Sequence, residues 1–369
     1  MSLNSLNNVE FLRGFSIPAT QNTCPNLSCP RDKTIQLAPN PTLTGNQIWN
    51  TFVLTSIIVA GSSVVIAILE LMALKMRNRG KRFRDEAWRR WYLKVHLQEV
   101  IIMLSDQQTT VGIGLLVAVA HQGCTVTAYQ YNCICYLVIM AVCSNLLAIL
   151  NVRNFFLGRG YRFAFIHIAT LATLIALSGN MIFARGSRTF PVKAGPEQTL
   201  PAACFQSGDY INVDGIQTGF KDLLGSGQIQ FILFLLFVAL TMVLLIFEGF
   251  RHMGKRPYAW YEKTTLVFRC IFSVLATGVL IYLLINYLIL RYTTETNPML
   301  YDKSSSNTAW NMSNVLAWAF WAKAMIMAVT KINETPAVRS LETKTARDEF
   351  DANDGSKGPL VLGQEWDPN

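Results

Sequence analysis

Seven stretches of this sequence are apolar for twenty residues or more, at approximately 51–74, 97–120, 128–150, 163–184, 228–249, 266–290 and 310–330. A helix rising 1.5 Å per residue needs ~20 residues to cross a hydrocarbon core of ~30 Å. Within lipid the backbone must satisfy its own polar groups, so blocks of this length leave little choice except helices packed on one another. The expected fold is all-α, a bundle of seven transmembrane helices. Composition agrees: 51% of residues are hydrophobic and 15% are charged, where a soluble chain carries about a quarter. An ordinary cytosolic enzyme, a disordered chain and a nucleic-acid binder are all excluded as readings. The seventh block is the most polar, holding Asn311, Asn314 and Lys323.

The blocks divide the chain into an N-terminal segment 1–50, a membrane domain 51–330 and a tail 331–369. The N-terminal segment is polar and lacks the apolar core of a cleavable signal peptide, and the tail is polar, acidic towards its end and expected to be disordered. Direction follows from the loop cations, because Lys and Arg concentrate on the cytoplasmic side. Loops 75–96, 151–162 and 250–263 hold sixteen of them, and the opposite loops 121–127, 185–227 and 291–309 hold six. The expected topology places the N-terminus in the lumen or outside and the C-terminus in the cytosol. The chain is thus expected to be a multi-pass protein of the endoplasmic reticulum or another membrane, with the lipid bilayer as its first partner. Trp88, Trp91 and Tyr92 among the cations of the first loop suit a segment lying along the headgroups.

The eight cysteines separate by depth. Cys133, Cys135, Cys143 and Cys270 fall within spans, where a thiol is a small apolar filler. Cys24, Cys29, Cys124 and Cys204 fall on the expected lumenal side, where an even set suits disulfides. Three pairings are open; one of them, Cys24 with Cys29 and Cys124 with Cys204, would tie the long loop 185–227 to the mouth of the third span. No metal site accompanies them, since no histidine stands at ligand spacing. Asn26 heads a glycosylation sequon on the permitted side.

Polar residues inside the spans carry the functional signal, because an ionisable group at mid-membrane costs ~2.5–3.5 kcal/mol or more and calls for a partner or a task. The second span contains Ser105, Asp106, Gln107, Gln108, Thr109 and Thr110 in succession. Glu99 lies seven residues before Asp106, two turns along the same helical face and ~10 Å away along the axis. Lys323 of the seventh span stands at nearly the same depth as Asp106, so an Asp106–Lys323 ion pair is expected, with Gln107, Gln108 or Asn314 bonding around it. Such a pair would serve equally to lock the second helix to the seventh. Glu70, Arg269 and His167 lie near the cytoplasmic interface, where reaching out to water explains them. Asn180 and Asn286 read as helix-to-helix contacts.

Trp318 and Trp321, with Trp310 and Phe320, surround Lys323, and Tyr129, Tyr131 and Tyr136 occupy the lumenal half of the third span. An aromatic stripe usually packs or faces lipid, yet a deep acid beside aromatic rings suits one chemistry in particular. A carboxylic acid held neutral by burial can protonate an epoxide or alkene, and ring faces stabilise the carbocation that follows. The sequence carries no phosphate-binding loop, dinucleotide fingerprint, zinc-protease motif or nucleophile elbow. An enzyme built on these residues would need no cofactor and would act on a lipophilic small molecule.

The run Leu104-Ser105-Asp106-Gln107-Gln108, followed by Gly112 and Gly114, resembles a large group of seven-span proteins of filamentous fungi. Size and topology also resemble the membrane-bound terpene cyclases of fungal meroterpenoid pathways, such as those forming ascofuranone-type compounds. That resemblance implies a secondary-metabolite enzyme that protonates an epoxidised farnesyl chain. On the polar residues of the spans themselves, Asp106 would be the acid, Glu99 a relay or second carboxylate and Lys323 the group tuning Asp106. A seven-helix receptor or structural protein is the competing expectation. It has the topology in its favour but not the motifs: the third span ends Asn151-Val152-Arg153, and no Asn-Pro-x-x-Tyr occurs in the seventh.

Overall fold

The computed structural model describes residues 37, 46–76, 84–151, 161–185, 190–191, 194–206, 227–253 and 259–297. The seventh expected span, 310–330, lies outside them, as do residues 1–36 and the tail. The described part is helical: α1 (Asn46–Met76), α2 (Arg84–Gln122), α3 (Ala128–Asn151), α4 (Tyr161–Arg185), the single turn α5 (Ala203–Gln206), α6 (Gly227–Met253) and α7 (Ala259–Thr296), with short 3-10 turns at Gly123–Thr125 and Pro196–Thr199. Five of them are long and apolar enough to cross a membrane: α1, α2, α3, α4 and α7. In α6 the apolar stretch described runs over Ile229–Val243.

Several helices outrun their apolar blocks. From Arg84 to Gln122 α2 is one continuous helix, so part of the basic loop expected over 75–96 is its first turns. The reason is local: 84–111 contain neither proline nor glycine, and Arg, Lys, Glu and Ala are good helix formers. Likewise α7 runs from Ala259 to Thr296, past both edges of the expected span, which moves Arg291 out of a loop and into the bundle.

The α2–α3 junction shows how local sequence sets the geometry. Gly123 takes a left-handed φ of 51° just after the last residue of α2, a conformation that suits glycine and ends helices. Two turns of chemistry then start α3. The Thr127 hydroxyl accepts from the Gln130 amide at 3.3 Å, and Gln130 Oε1 accepts from the Thr127 amide at 3.2 Å, a reciprocal box that satisfies two donors at the helix start. Residues 126–128 pair antiparallel with 200–202 through Ala128 N to Leu200 O and Ala202 N to Val126 O, each 2.8 Å. This pairing caps one end of the bundle, hereafter the capped end.

Every residue of α3 is buried. It is the axis of the bundle, with α1, α2, α4, α6 and α7 all packed against it. Around it, α7 neighbours α1, α1 neighbours α2, α2 neighbours α4 and α4 neighbours α6. The outward faces of α1, α4, α6 and α7 expose large apolar side chains, among them Ile57, Phe165, Leu236, Ile271 and Ile289. Exposed apolar surface on this scale fits lipid contact. Hydroxyls within the helices are returned to their own backbone, as in Thr55 to Thr51 O, Ser63 to Val59 O and Thr241 to Phe237 O, at 2.5–2.7 Å, which hides them from lipid.

Candidate functional site

The polar run of α2 does not act as one patch. Successive residues of a helix point 100° apart, so Ser105–Thr110 are distributed among three neighbours. Asn145 of α3 donates to Thr109 Oγ1 at 2.6 Å and lies 3.4 Å from Ser105 O. On another side, Gln108 donates to Ser56 Oγ at 3.0 Å and Phe52 O at 3.3 Å on α1. Its Nε2 thereby holds α1 against α2, while its buried Oε1 has no partner among the described residues. Gln107 is buried, with no partner for Oε1.

Asp106 points in a third direction, towards α4, where its Oδ1 meets Nδ1 of His167. Among the described residues Asp106 thus meets an imidazole; the lysine expected from depth is not among them. Lys323 lies outside the described residues, as do Asn314, Trp318 and Trp321. The His167 side chain is 3% exposed and that of Asp106 is 43% exposed. One half of the pair is thus enclosed and the other accessible. Expected to reach out to water, His167 is instead packed inward, because α4 begins at Tyr161 and carries residue 167 two turns into the bundle. Glu99 is partly buried on α2.

Nearer the opposite end from the cap, Glu70 of α1 is bound by Lys94 of α2 at 2.6 Å, with Cys270 Sγ of α7 3.9 Å from its second oxygen. Neither residue needs to reach bulk water. Gln98 donates to Asn151 O at 2.5 Å, and Ser273 to Asn151 Oδ1 at 3.3 Å, closing α2, α3 and α7 together at this level.

The capped end holds two buried arginines that loop counting had placed outside the bundle. Arg291 of α7 bonds Glu295 at 3.1 Å, Glu295 accepts from the Tyr129 hydroxyl at 3.0 Å, and the guanidinium lies 5.0 Å from the centre of the Trp49 ring. Arg185, the last residue of α4, is 0% exposed. Its Nε donates to Asn132 Oδ1, and its guanidinium lies 4.3 Å over the Tyr136 ring. Asn132 is itself held by Pro191 O at 2.7 Å and Gln198 Oε1 at 3.0 Å, and Tyr136 accepts from Gln230 Nε2 at 2.6 Å. Tyr131 donates to Met181 O at 2.8 Å. The tyrosines of α3 thus serve polar contacts rather than a purely apolar lining.

Among the cysteines, Cys133, Cys135, Cys143 and Cys270 are free thiols and buried, and Cys204 is in a disulfide. Cys24, Cys29 and Asn26 lie outside the described residues. No group of three or more metal-ligating side chains occurs among the described residues. No known protein family, curated protein or solved structure matches this chain.

Proposed function

We propose that the chain is a seven-span integral membrane enzyme that cyclises an epoxidised isoprenoid or meroterpenoid by protonation, with Asp106 and His167 as the proton-handling couple. One observation carries this reading: a carboxylate and an imidazole share a hydrogen bond between α2 and α4, with the carboxylate on the accessible side. A carboxylate–imidazole couple suits the task. Once protonated, the Asp106–His167 pair holds one transferable proton between Oδ1 and Nδ1.

In the proposed step that proton passes to the epoxide oxygen and the C–O bond breaks. The electron pair of a nearby alkene closes the ring, and the final cation returns a proton to a base. Glu99, two turns along α2, is the base we assign, and the product is an isomer of unchanged mass. Lys323 keeps its proposed place as a charge near Asp106, with Gln107, Gln108, Asn314, Trp318 and Trp321 lining the substrate. No cofactor enters the scheme. We further place the N-terminus and the capped end on the lumenal side, supported by the loop cations and by a disulfide at Cys204. Microsomes containing the protein, incubated with epoxy-farnesyl phenols, should yield a cyclised isomer. Failure to convert any of several such substrates would reject the proposal.

A further inference from the structure

We propose that Arg185, Tyr136 and Gln230 form a binding site for an oxoanion, the acidic end of a small molecule or lipid, inside the capped end of the bundle. The site is separate from Asp106 and does not rest on the cyclase reading. Arg185 follows His167 by eighteen residues on α4, roughly 27 Å along the helix axis.

The argument starts from what the guanidinium lacks. Nη1 and Nη2 of Arg185 are buried and have no hydrogen-bond partner among the described residues, although the residue is wholly enclosed. Removing a cation from water costs several kcal/mol unless an opposite charge and hydrogen bonds replace the solvent. The second arginine at this end shows the usual solution, since Arg291 has Glu295 on its own helix one turn away. Among the described residues, Arg185 has the amide oxygen of Asn132 and the face of Tyr136. Those two contacts do not neutralise it, but they do fix it. The Nε bond and the stacked ring hold the guanidinium plane, and Asn132 is in turn anchored to Pro191 and Gln198. Both remaining nitrogens are left as a preset fork, the geometry that takes two oxygens of a carboxylate or phosphate.

Gln230 adds a second unsatisfied group. Its Nε2 is used on Tyr136, while its buried Oε1 has no partner, so a hydroxyl or protonated oxygen on the ligand would complete it. Tyr136 stands on α3, Gln230 on α6 and Tyr287 of α7 meets Tyr136 edge-on at 6.3 Å, placing the site among α3, α4, α6 and α7 with tyrosine rings to cover an apolar ligand body.

The test uses full-length protein in neutral phosphatidylcholine nanodiscs. Thermal stability is measured with inorganic phosphate, with dodecanoate, and in nanodiscs containing phosphatidic acid. At least one should raise Tm saturably. Phosphate alone would define a simple anion site, dodecanoate alone an amphiphilic acid, and phosphatidic acid alone a lipid headgroup. For the effective anion, Arg185→Lys should weaken binding at least tenfold because the fork is lost, and Arg185→Gln should abolish it. If those variants do not accumulate, Gln230→Met should weaken binding at least threefold. No saturable response to any anion, or a response that Arg185→Lys, Arg185→Gln and Gln230→Met leave unchanged, would overturn the site.

Discussion

Oδ1 of Asp106 on α2 bonds Nδ1 of His167 on α4, joining an accessible carboxylate to an enclosed imidazole. If the two act as one proton-handling unit, Asp106→Asn and His167→Gln should each lower cyclisation at least ~100-fold, the scale of general acid–base catalysis. The double variant should be no slower than the worse single, because removing one member already disables the unit. Initial rates normalised to membrane abundance check this. Independent, multiplying losses would show that the residues do not work together.

The two glycines that follow the polar run differ in what surrounds them. A Cβ at Gly112 would lie 3.2 Å from Leu174 Cδ1, whereas at Gly114 nothing stands within 4 Å. Gly114→Ala should therefore be neutral or stabilising by about 0.5–1 kcal/mol, the usual gain of alanine over glycine in a helix. Gly112→Leu should cost about 1–3 kcal/mol by forcing α2 from α4. Thermal denaturation in detergent compares them.

We expect Cys124 to be the disulfide partner of Cys204. The antiparallel bridge between Thr127 and Pro201 brings the backbone three residues after Cys124 to that three residues before Cys204. After alkylation of the buried thiols, peptide mapping should recover 124 and 204 in one disulfide-linked pair that reduction separates. Cys204→Ser should then cost about 2–4 kcal/mol, as expected for closing a long loop. Recovery of Cys204 linked to Cys24 or Cys29 would refute the assignment.

Glu70 and Lys94 are largely enclosed, at 12% and 18% side-chain exposure. Lys94→Met should destabilise by ~1–3 kcal/mol, between the values for exposed and buried pairs, because Glu70 would be left beside Cys270 without a cation. The double exchange Glu70→Lys with Lys94→Glu should restore most of the loss. Melting temperatures of the two singles and the double supply the measurement.

The spans were legible because apolar blocks of membrane length have few other uses, and α1–α4 and α7 fall close to the expected positions. Their true ends were not. Hydropathy stops where lipid stops, while the helix continues for as long as backbone propensity allows, as Arg84–His96 and Arg291–Thr296 do. The same mismatch misplaced Arg185 and Arg291, since a cation just past an apolar block reads as a loop residue whether it faces water or turns inward. Asp106 stood out because a carboxylate at mid-span is costly. His167 did not, because depth alone cannot say which way a side chain points, and only the packing of α4 on α2 brings it to Asp106. Asn132 and Asn145 carried a usable signal: an asparagine in a strongly apolar helix has to bond across to something, here Arg185 and Thr109.

A helix buried on every side has no face on which substitution is harmless. In a saturation scan of this chain, α1, α4, α6 and α7 should show tolerance returning every three to four residues, wherever a side chain meets lipid. Across 128–151 that rhythm should vanish. Because α3 is also the helix that Asn132, Tyr136 and Asn145 use to reach three different neighbours, its sequence is constrained at once by size, by apolarity and by the placement of a few polar atoms. Among homologues it should diverge most slowly, and should do so evenly around the helix rather than along one stripe.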